Sequence, residues 1–381
     1  MKSEIRDLFT QNPVTSDSIL QKSLELGSDY LRGGWQLLNR NEVTVSQITG
    51  GQSNLIYLVS SESSKISSTT PSCFLIRIHC QPANQVFNDT VLFSIMSERG
   101  LGPKLYGFFN GGRLEEFLPS RTLDVDCIIH SEIAERVGAL FPKYHAIEMP
   151  IQKTSGAIRF LRQNLEDYKR MGGGTHKMCP YSVKYENEQI PQELTIQQFE
   201  TEIETIEKWA SVFDDTLVFC HNDLTPLNVL ELNSTKELVF IDFEYACYNW
   251  RGFDLSMFLC ENAFDYRVPP PGVRIDQNFI ENHPNLLTIC KAYIDTVFQM
   301  KNEQPSSEVR DAAIERLVEE CKFFTPFVNL FWAVWSLKQH IAKHDNGHDL
   351  EVAASDRMTL YYHFKPQSRK IYEKRQGSTS M

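Results

Sequence analysis

The chain has 381 residues, enough to bury a sizeable core as two or three compact units or as one two-lobed enzyme. Its 38 Lys and Arg stand against 49 Asp and Glu, and the net charge of −11 argues against nucleic acid or an anionic membrane as the main partner. Nine cysteines are scattered without a C-x-x-C pair, which fits reduced thiols in a cytoplasmic protein better than disulfides or a zinc site.

The first residues, MKSEIRDLFTQN, are polar and lack the apolar core of a signal peptide. Up to about Arg40, Ile19, Leu20, Leu24, Leu26 and Leu31 recur at helical spacing and predict one or two leading helices. Alternation then takes over. Val43 and Val45 precede Gly50-Gly51-Gln52-Ser53-Asn54, and Leu55, Tyr57 and Val59 follow, which predicts strand, glycine turn, strand. Such a loop can lay backbone N–H groups over phosphates, and a plain hairpin turn is the alternative. Ser60–Ser72 is a low-complexity loop. Phe74–His79 predicts a strand with one mid-strand charge, Arg77, which is either a phosphate-binding cation or an edge arginine facing solvent.

Val86–Arg99 has helical spacing, with Asp89 placed early enough to reach back to Arg77. Asn110-Gly111-Gly112 marks a hairpin, and Glu116-Phe117-Leu118 leave the sheet where a hinge contacting adenine would fall. From Leu123 the pattern is largely helical, with stripes over Ile129–Ile147 and again from Thr195, which opens a helix with Gln198 in a capping box. Late in the chain the most apolar run, Phe323–Leu337, is broken by Thr325, Pro326 and Asn329 and is short for a bilayer, so no membrane insertion is expected. His340, His344 and His348 step by four residues. Without an HExxH string, and with Gly347 predicting the helix end, a solvated polar face accounts for them.

Between these parts lies Val218–Asp254. It reads as a short strand, then His221-Asn222-Asp223, then Asn228, then a hairpin of Val229–Leu232 and Leu238–Ile241 that ends on Asp242-Phe243-Glu244. Acidic and amide oxygens converging at one ribbon end suit Mg²⁺, a hard cation that shares such ligands with substrate phosphates. Asp-x₄-Asn followed by a strand-terminal Asp is the arrangement of a phosphoryl-transfer site, with one carboxylate for the acceptor hydroxyl's proton and the other oxygens for metal.

Several strings carry a resemblance: LRGGWQ (31–36), GGQSN (50–54), ERGLGPKLYGFF (98–109), GRLEEFLPSR (112–121), VFCHND (218–223), IDFEYACYNWRGFD (241–254) and FWAVWSL (331–337). With them the chain resembles the choline/ethanolamine kinases, more closely the choline kinase branch. The resemblance implies an α+β, two-lobed, protein-kinase-like fold. A β-rich nucleotide-binding lobe with leading helices would cover residues 1–118, and a mostly helical catalytic and alcohol-binding lobe residues 119–381. It also implies ATP and Mg²⁺ as cosubstrates, choline or ethanolamine as acceptor, and a homodimer.

Position by position, the resemblance makes Asp223 the base and Asn228, Asp242 and Glu244 the metal-holding group. Arg77 and the loop Gly50, Gly51, Gln52, Ser53 and Asn54 would meet the phosphates, and Glu116, Phe117 and Leu118 the adenine. Asp89, Arg251 and Asp254 would be structural. Choline has no N–H to donate, so aromatic faces and a nearby carboxylate are its natural host. The family places Glu261, Tyr266, Trp332 and Trp335 there. Three positions depart from the family pattern: no tyrosine follows the Trp pair in His348–Ala354, Asp89 replaces the usual Glu, and Thr225-Pro226 stands where Gln is common. Ethanolamine kinase activity, alone or dual, is the main alternative, and a catalytically weak ATP-binding relative a distant one.

Overall fold

A computed structural model describes residues 16–48, 54–79, 83–185, 190–268, 273–343 and 349–379. The chain divides into two compact units, Met1–Ser120 with Leu232–Val239, and Arg121–Glu231 with Phe240–Met381.

In the first unit, helix α1 (Ser16–Leu26) precedes five strands: β1 (Thr44–Ile48), β2 (Asn54–Ser60), β3 (Cys73–His79), β4 (Leu105–Phe109) and β5 (Gly112–Glu115). Their order is β1-β2-β3-β5-β4, with every pairing antiparallel. Strand β3 follows the expected alternation. Phe74, Ile76 and Ile78 are buried in a core with Ile19, Leu26, Trp35, Val59 and Leu114, and Trp35 meets Phe74 edge-on at 5.0 Å. Arg77 therefore points to the other face. The predicted turn at Asn110-Gly111 joins β4 to β5, with Gly111 at φ +95°, a conformation glycine takes without strain. Helix α2 (Ala83–Glu98) links β3 to β4.

Strand β6 (Ser120–Thr122) leads into the second unit. There follow α3 (Val125–Ile128), α4 (Ser131–His145), α5 (Gly156–Arg170), the two-residue strands β7 (His176–Lys177) and β8 (Glu193–Leu194), and α6 (Ile196–Ala210). Thr195 and Gln198 form the expected capping box on α6. Strand β9 (Leu217–Cys220), the hairpin strands β10 (Val229–Leu232) and β11 (Leu238–Phe240), β12 (Cys247–Trp250) and α7 (Arg251–Glu261) carry the central stretch. Strand β9 pairs with β12, antiparallel, so the chain before Asp223 and the chain before Asp254 are fixed side by side. Strands β13 (Phe264–Asp265) and β14 (Arg274–Ile275), α8 (Gln277–Glu281), α9 (Leu286–Lys301), α10 (Ser307–Ile341) and α11 (Leu350–Thr379) complete the unit.

The core of this unit is rich in rings, with Trp250 at the end of β12 and Phe253 of α7 meeting Phe324, Phe327 and Phe331 of α10. Gly252 permits the contact, because a Cβ there would sit 2.7 Å from the Phe324 ring and 2.8 Å from Glu320 Cβ. Helix α10 runs on through Pro326 for 35 residues and ends at Ile341 rather than near Gly347. His344 and His348 lie outside the described residues, and His340 approaches Glu351 at 3.8 Å. Among the described residues no helix is long and apolar enough to cross a membrane.

Candidate active site

The turn after β9 is held in an unusual shape. Asn222 and Asp242 both adopt left-handed backbone, φ +66° and +65°, which a non-glycine residue keeps only when its surroundings demand it. Asn222 is fixed through its side chain, with Nδ2 donating to the carbonyls of Cys220 and Tyr245 and Oδ1 accepting from Asn249 at 2.7 Å. Asp254, buried in α7, accepts from the backbone N–H of His221 at 2.9 Å, from that of Asn222 at 2.7 Å and from His145 Nε2 at 3.1 Å. Burial alone would push its carboxyl up. The hydrogen bonds from His145 and the loop, with the two nearby imidazoles, hold it below the usual aspartate value, so it braces the loop as an anion. His221 donates from Nε2 to the Ile241 carbonyl at 2.8 Å and accepts the Asp223 N–H at Nδ1, which ties the Asp223 turn to the residue before Asp242. Arg251 works one layer further out. It grips Glu320 of α10 with two bonds of 2.8 Å.

The carboxylates gather beyond this brace. Burial first, then Glu244, Asp242 and Glu261, push the Asp223 carboxyl well above the ordinary aspartate value, while Arg357 opposes them. Asn228 donates from Nδ2 to the Asp223 carbonyl at 2.8 Å, and its Oδ1 makes no hydrogen bond among the described residues. One amide oxygen with the carboxylates of Asp242 and Glu244 is a hard-oxygen donor set of the kind Mg²⁺ takes. The tight group of metal-type donors among the described residues lies elsewhere, at His145, Cys220 and Asp254. Burial holds the Cys220 thiol protonated, and it donates to the Asn249 carbonyl at 3.4 Å, so this group serves as part of the brace.

The positions expected to host the alcohol fall into two contact groups, Trp332 with Trp335 and Glu261 with Tyr266. Trp332 and Trp335 meet edge-on at 5.3 Å. Tyr245 lies edge-on to Trp332 at 5.4 Å and accepts the Trp335 Nε1–H at 2.9 Å. Glu261 is only 1% exposed. One of its oxygens accepts from Arg357 at 2.6 Å and the other from the Tyr266 hydroxyl at 2.7 Å. Sequence reasoning missed Tyr245 and Arg357. The first directly follows Asp-Phe-Glu and was legible as a third ring beside the acids. Arg357 stands 96 residues from Glu261, and nothing in the local pattern of α11 marks it.

In the first unit the expected partner of Arg77 changes. Arg77 Nε bonds Glu115 of β5 at 3.0 Å, and Asp89 pairs instead with Arg113. The register explains it. Arg77 stands opposite Arg113, and Glu115, two residues along the same face, reaches both guanidiniums, with 2.9 Å to Arg113 Nε. Burial raises the Glu115 carboxyl, and the two arginines pull it below the ordinary glutamate value. Glu116 is tied to Lys104 through both its N–H (2.8 Å) and its carboxylate (3.0 Å). The Glu116 carbonyl and the Leu118 N–H, with Phe117 between them, make no hydrogen bond among the described residues. Gly50, Gly51, Gln52 and Ser53 lie outside the described residues, and Asn54 opens β2.

The sequence pattern of the family described as Choline/ethanolamine kinase matches residues 45–362. The chain belongs to that family. Choline kinase B2 of Caenorhabditis elegans is 47% identical over 97% of this chain and 98% of its own length, and choline kinase B1 of the same organism is 48% identical over 97% of each. A crystal structure of a choline kinase from Cryptosporidium parvum has the same fold, with TM-score 0.71 at 18% identity over 93% of this chain and 96% of that one. As a choline/ethanolamine kinase family member the protein is a phosphotransferase with an alcohol as acceptor and ATP as donor, built on the expected kinase-like α+β fold.

Proposed function

We propose that the protein phosphorylates choline on its hydroxyl, giving phosphocholine and ADP, with ethanolamine as a poorer acceptor. The observation that carries this reading is the three-ring group of Tyr245, Trp332 and Trp335 on the same unit as Asp223. A quaternary ammonium takes its binding energy from such ring faces. Tyr245 supplies the third ring in a chain that has no tyrosine in His348–Ala354. The identity with relatives named choline kinases supports the same choice.

In this reading Asp223 accepts the hydroxyl proton as the choline oxygen bonds to the γ-phosphorus and the bond to the β-phosphate's bridging oxygen breaks. Its pKa, raised by burial and the neighbouring carboxylates, makes it a stronger base than a free aspartate. Asn228, Asp242 and Glu244 would hold Mg²⁺, which supplies positive charge against the phosphates when bound. Arg77, steadied by Glu115, meets the nucleotide phosphates together with the loop Gly50–Asn54. The Glu116 carbonyl and Leu118 N–H match the donor and acceptor that adenine shows side by side on its edge. The first step of phospholipid headgroup synthesis, run in the cytoplasm, is the setting this reaction implies. The test is ADP release by purified protein with Mg²⁺-ATP against choline and ethanolamine in parallel. Faster turnover with choline supports the reading, and turnover of neither, or a preference for ethanolamine, refutes it.

A further inference from the structure

The residues read as hosting the headgroup differ in exposure, with Trp332 buried as well as Glu261. Tyr245, Tyr266 and Trp335 are partly exposed, whereas Glu261 is 1% exposed. Each Glu261 oxygen is already an acceptor, one from Arg357 Nη2 at 2.6 Å and one from Tyr266 at 2.7 Å, and Arg357 also donates to the Tyr266 hydroxyl at 3.1 Å. Arg357 is itself buried, lies over the Phe264 ring at 4.3 Å, and its Nη1 has no hydrogen-bond partner among the described residues. A buried cation normally has all its donors engaged, so this guanidinium is placed by its hold on Glu261 rather than by a wider network.

We propose that Arg357 is a specificity-determining positioning residue: with Tyr266 it closes off and neutralises Glu261, so that the site favours an ammonium without N–H donors over a primary one. This rests on the functional reading above. A primary ammonium loses hydrogen bonds to water on entering and must regain them from acceptors. With the Glu261 oxygens spent, the site offers it ring faces, which repay a methylated ammonium more fully because that ion had no N–H bonds to lose.

The test is the ratio of kcat/KM for choline to that for ethanolamine in the wild type and in Arg357→Met, Arg357→Lys and Tyr266→Phe, with the ATP KM measured alongside. Freeing a Glu261 oxygen should let ethanolamine gain a charge-assisted hydrogen bond, so the ratio should fall about tenfold in Arg357→Met and Tyr266→Phe. Arg357→Lys, which keeps the charge, should stay nearer the wild type. If Arg357→Met does not fold, Tyr266→Phe decides, since it removes a single hydroxyl. Proportional losses for both alcohols, with the ratio held within about twofold, would mark Arg357 as merely structural and overturn the inference. A wild type that turns over neither alcohol would instead remove the functional reading on which it rests.

Discussion

Asp254→Asn tests how the catalytic turn is held. The substitution keeps the shape of the side chain but removes its charge and turns one acceptor into a donor. Three donors point at this carboxylate, the N–H groups of His221 and Asn222 and the ring of His145, at 2.9, 2.7 and 3.1 Å. The amide can still accept from some of them, and at least one donor is left facing an NH₂ group. A hydrogen bond to a buried charge contributes about 1.5–3 kcal/mol, and uncoupling a buried charged partner costs about 3–5 kcal/mol, so the loss should be on the order of 3–5 kcal/mol. The loss falls on the turn whose left-handed Asn222 directly precedes Asp223. A shift of about 1 Å in a reacting group can cost roughly a hundredfold in rate. We therefore expect kcat to fall by one to two orders of magnitude, with the ATP KM much less affected. Urea unfolding and steady-state kinetics on the same preparation measure both. A variant within about 1 kcal/mol of the wild type, with kcat within about twofold, would refute the brace.

Further outcomes follow from the same structure. Trp335→Ala removes one ring and the donor to Tyr245, and should raise the choline KM more than the ATP KM in initial-rate measurements. Glu115→Gln leaves Arg77 and Arg113 facing each other with a neutral group between them. It should cost about 3–5 kcal/mol by denaturant unfolding and raise the ATP KM more than the choline KM, and equal changes in the two would argue against Arg77 at the phosphates. His283 is pushed by burial from 6.5 to about 4 and accepts the Asn285 N–H at Nδ1. The unfolded chain therefore binds this proton first. The stability the neutral ring contributes is complete above pH 6.5 and declines as pH falls toward 4, by about 3 kcal/mol at 1.36 kcal/mol per unit. His283→Gln should flatten that part of the stability curve, measured by urea unfolding at successive pH values.

What the sequence made legible was local. The period of two in β3, the Asn110-Gly111 turn, the Thr195 capping box and the hairpin around Asn233 are each written in neighbouring residues. The spacing of Asp223, Asn228 and Asp242 is likewise short-range, so the chemistry at that ribbon could be read before the fold. What escaped depends on register and distance. Which acid serves Arg77 is decided by the pairing of β3 with β5, and a helix residue such as Asp89 is an equally reasonable partner until that register is known. Strand β12 carries Tyr248 and Asn249 into a fully buried strand, where Asn249 is accommodated by its bond to Asn222, so its composition does not alternate. Helix α10 passes through Pro326 because both sides of it pack into the ring-rich core, a tertiary effect that overrides the local break signal. Arg357 meets Glu261 only because α11 returns against α7's end, and no short-range pattern records that.

In the proposed reaction Asp223 takes the proton of choline's hydroxyl. Purified protein supplied with Mg²⁺-ATP and choline, followed by ³¹P NMR, tests it directly. Phosphocholine should appear in step with ADP for the wild type, and almost none should appear for Asp223→Asn although that variant still binds ATP. ADP without phosphocholine, or near-normal phosphocholine from Asp223→Asn, would contradict it.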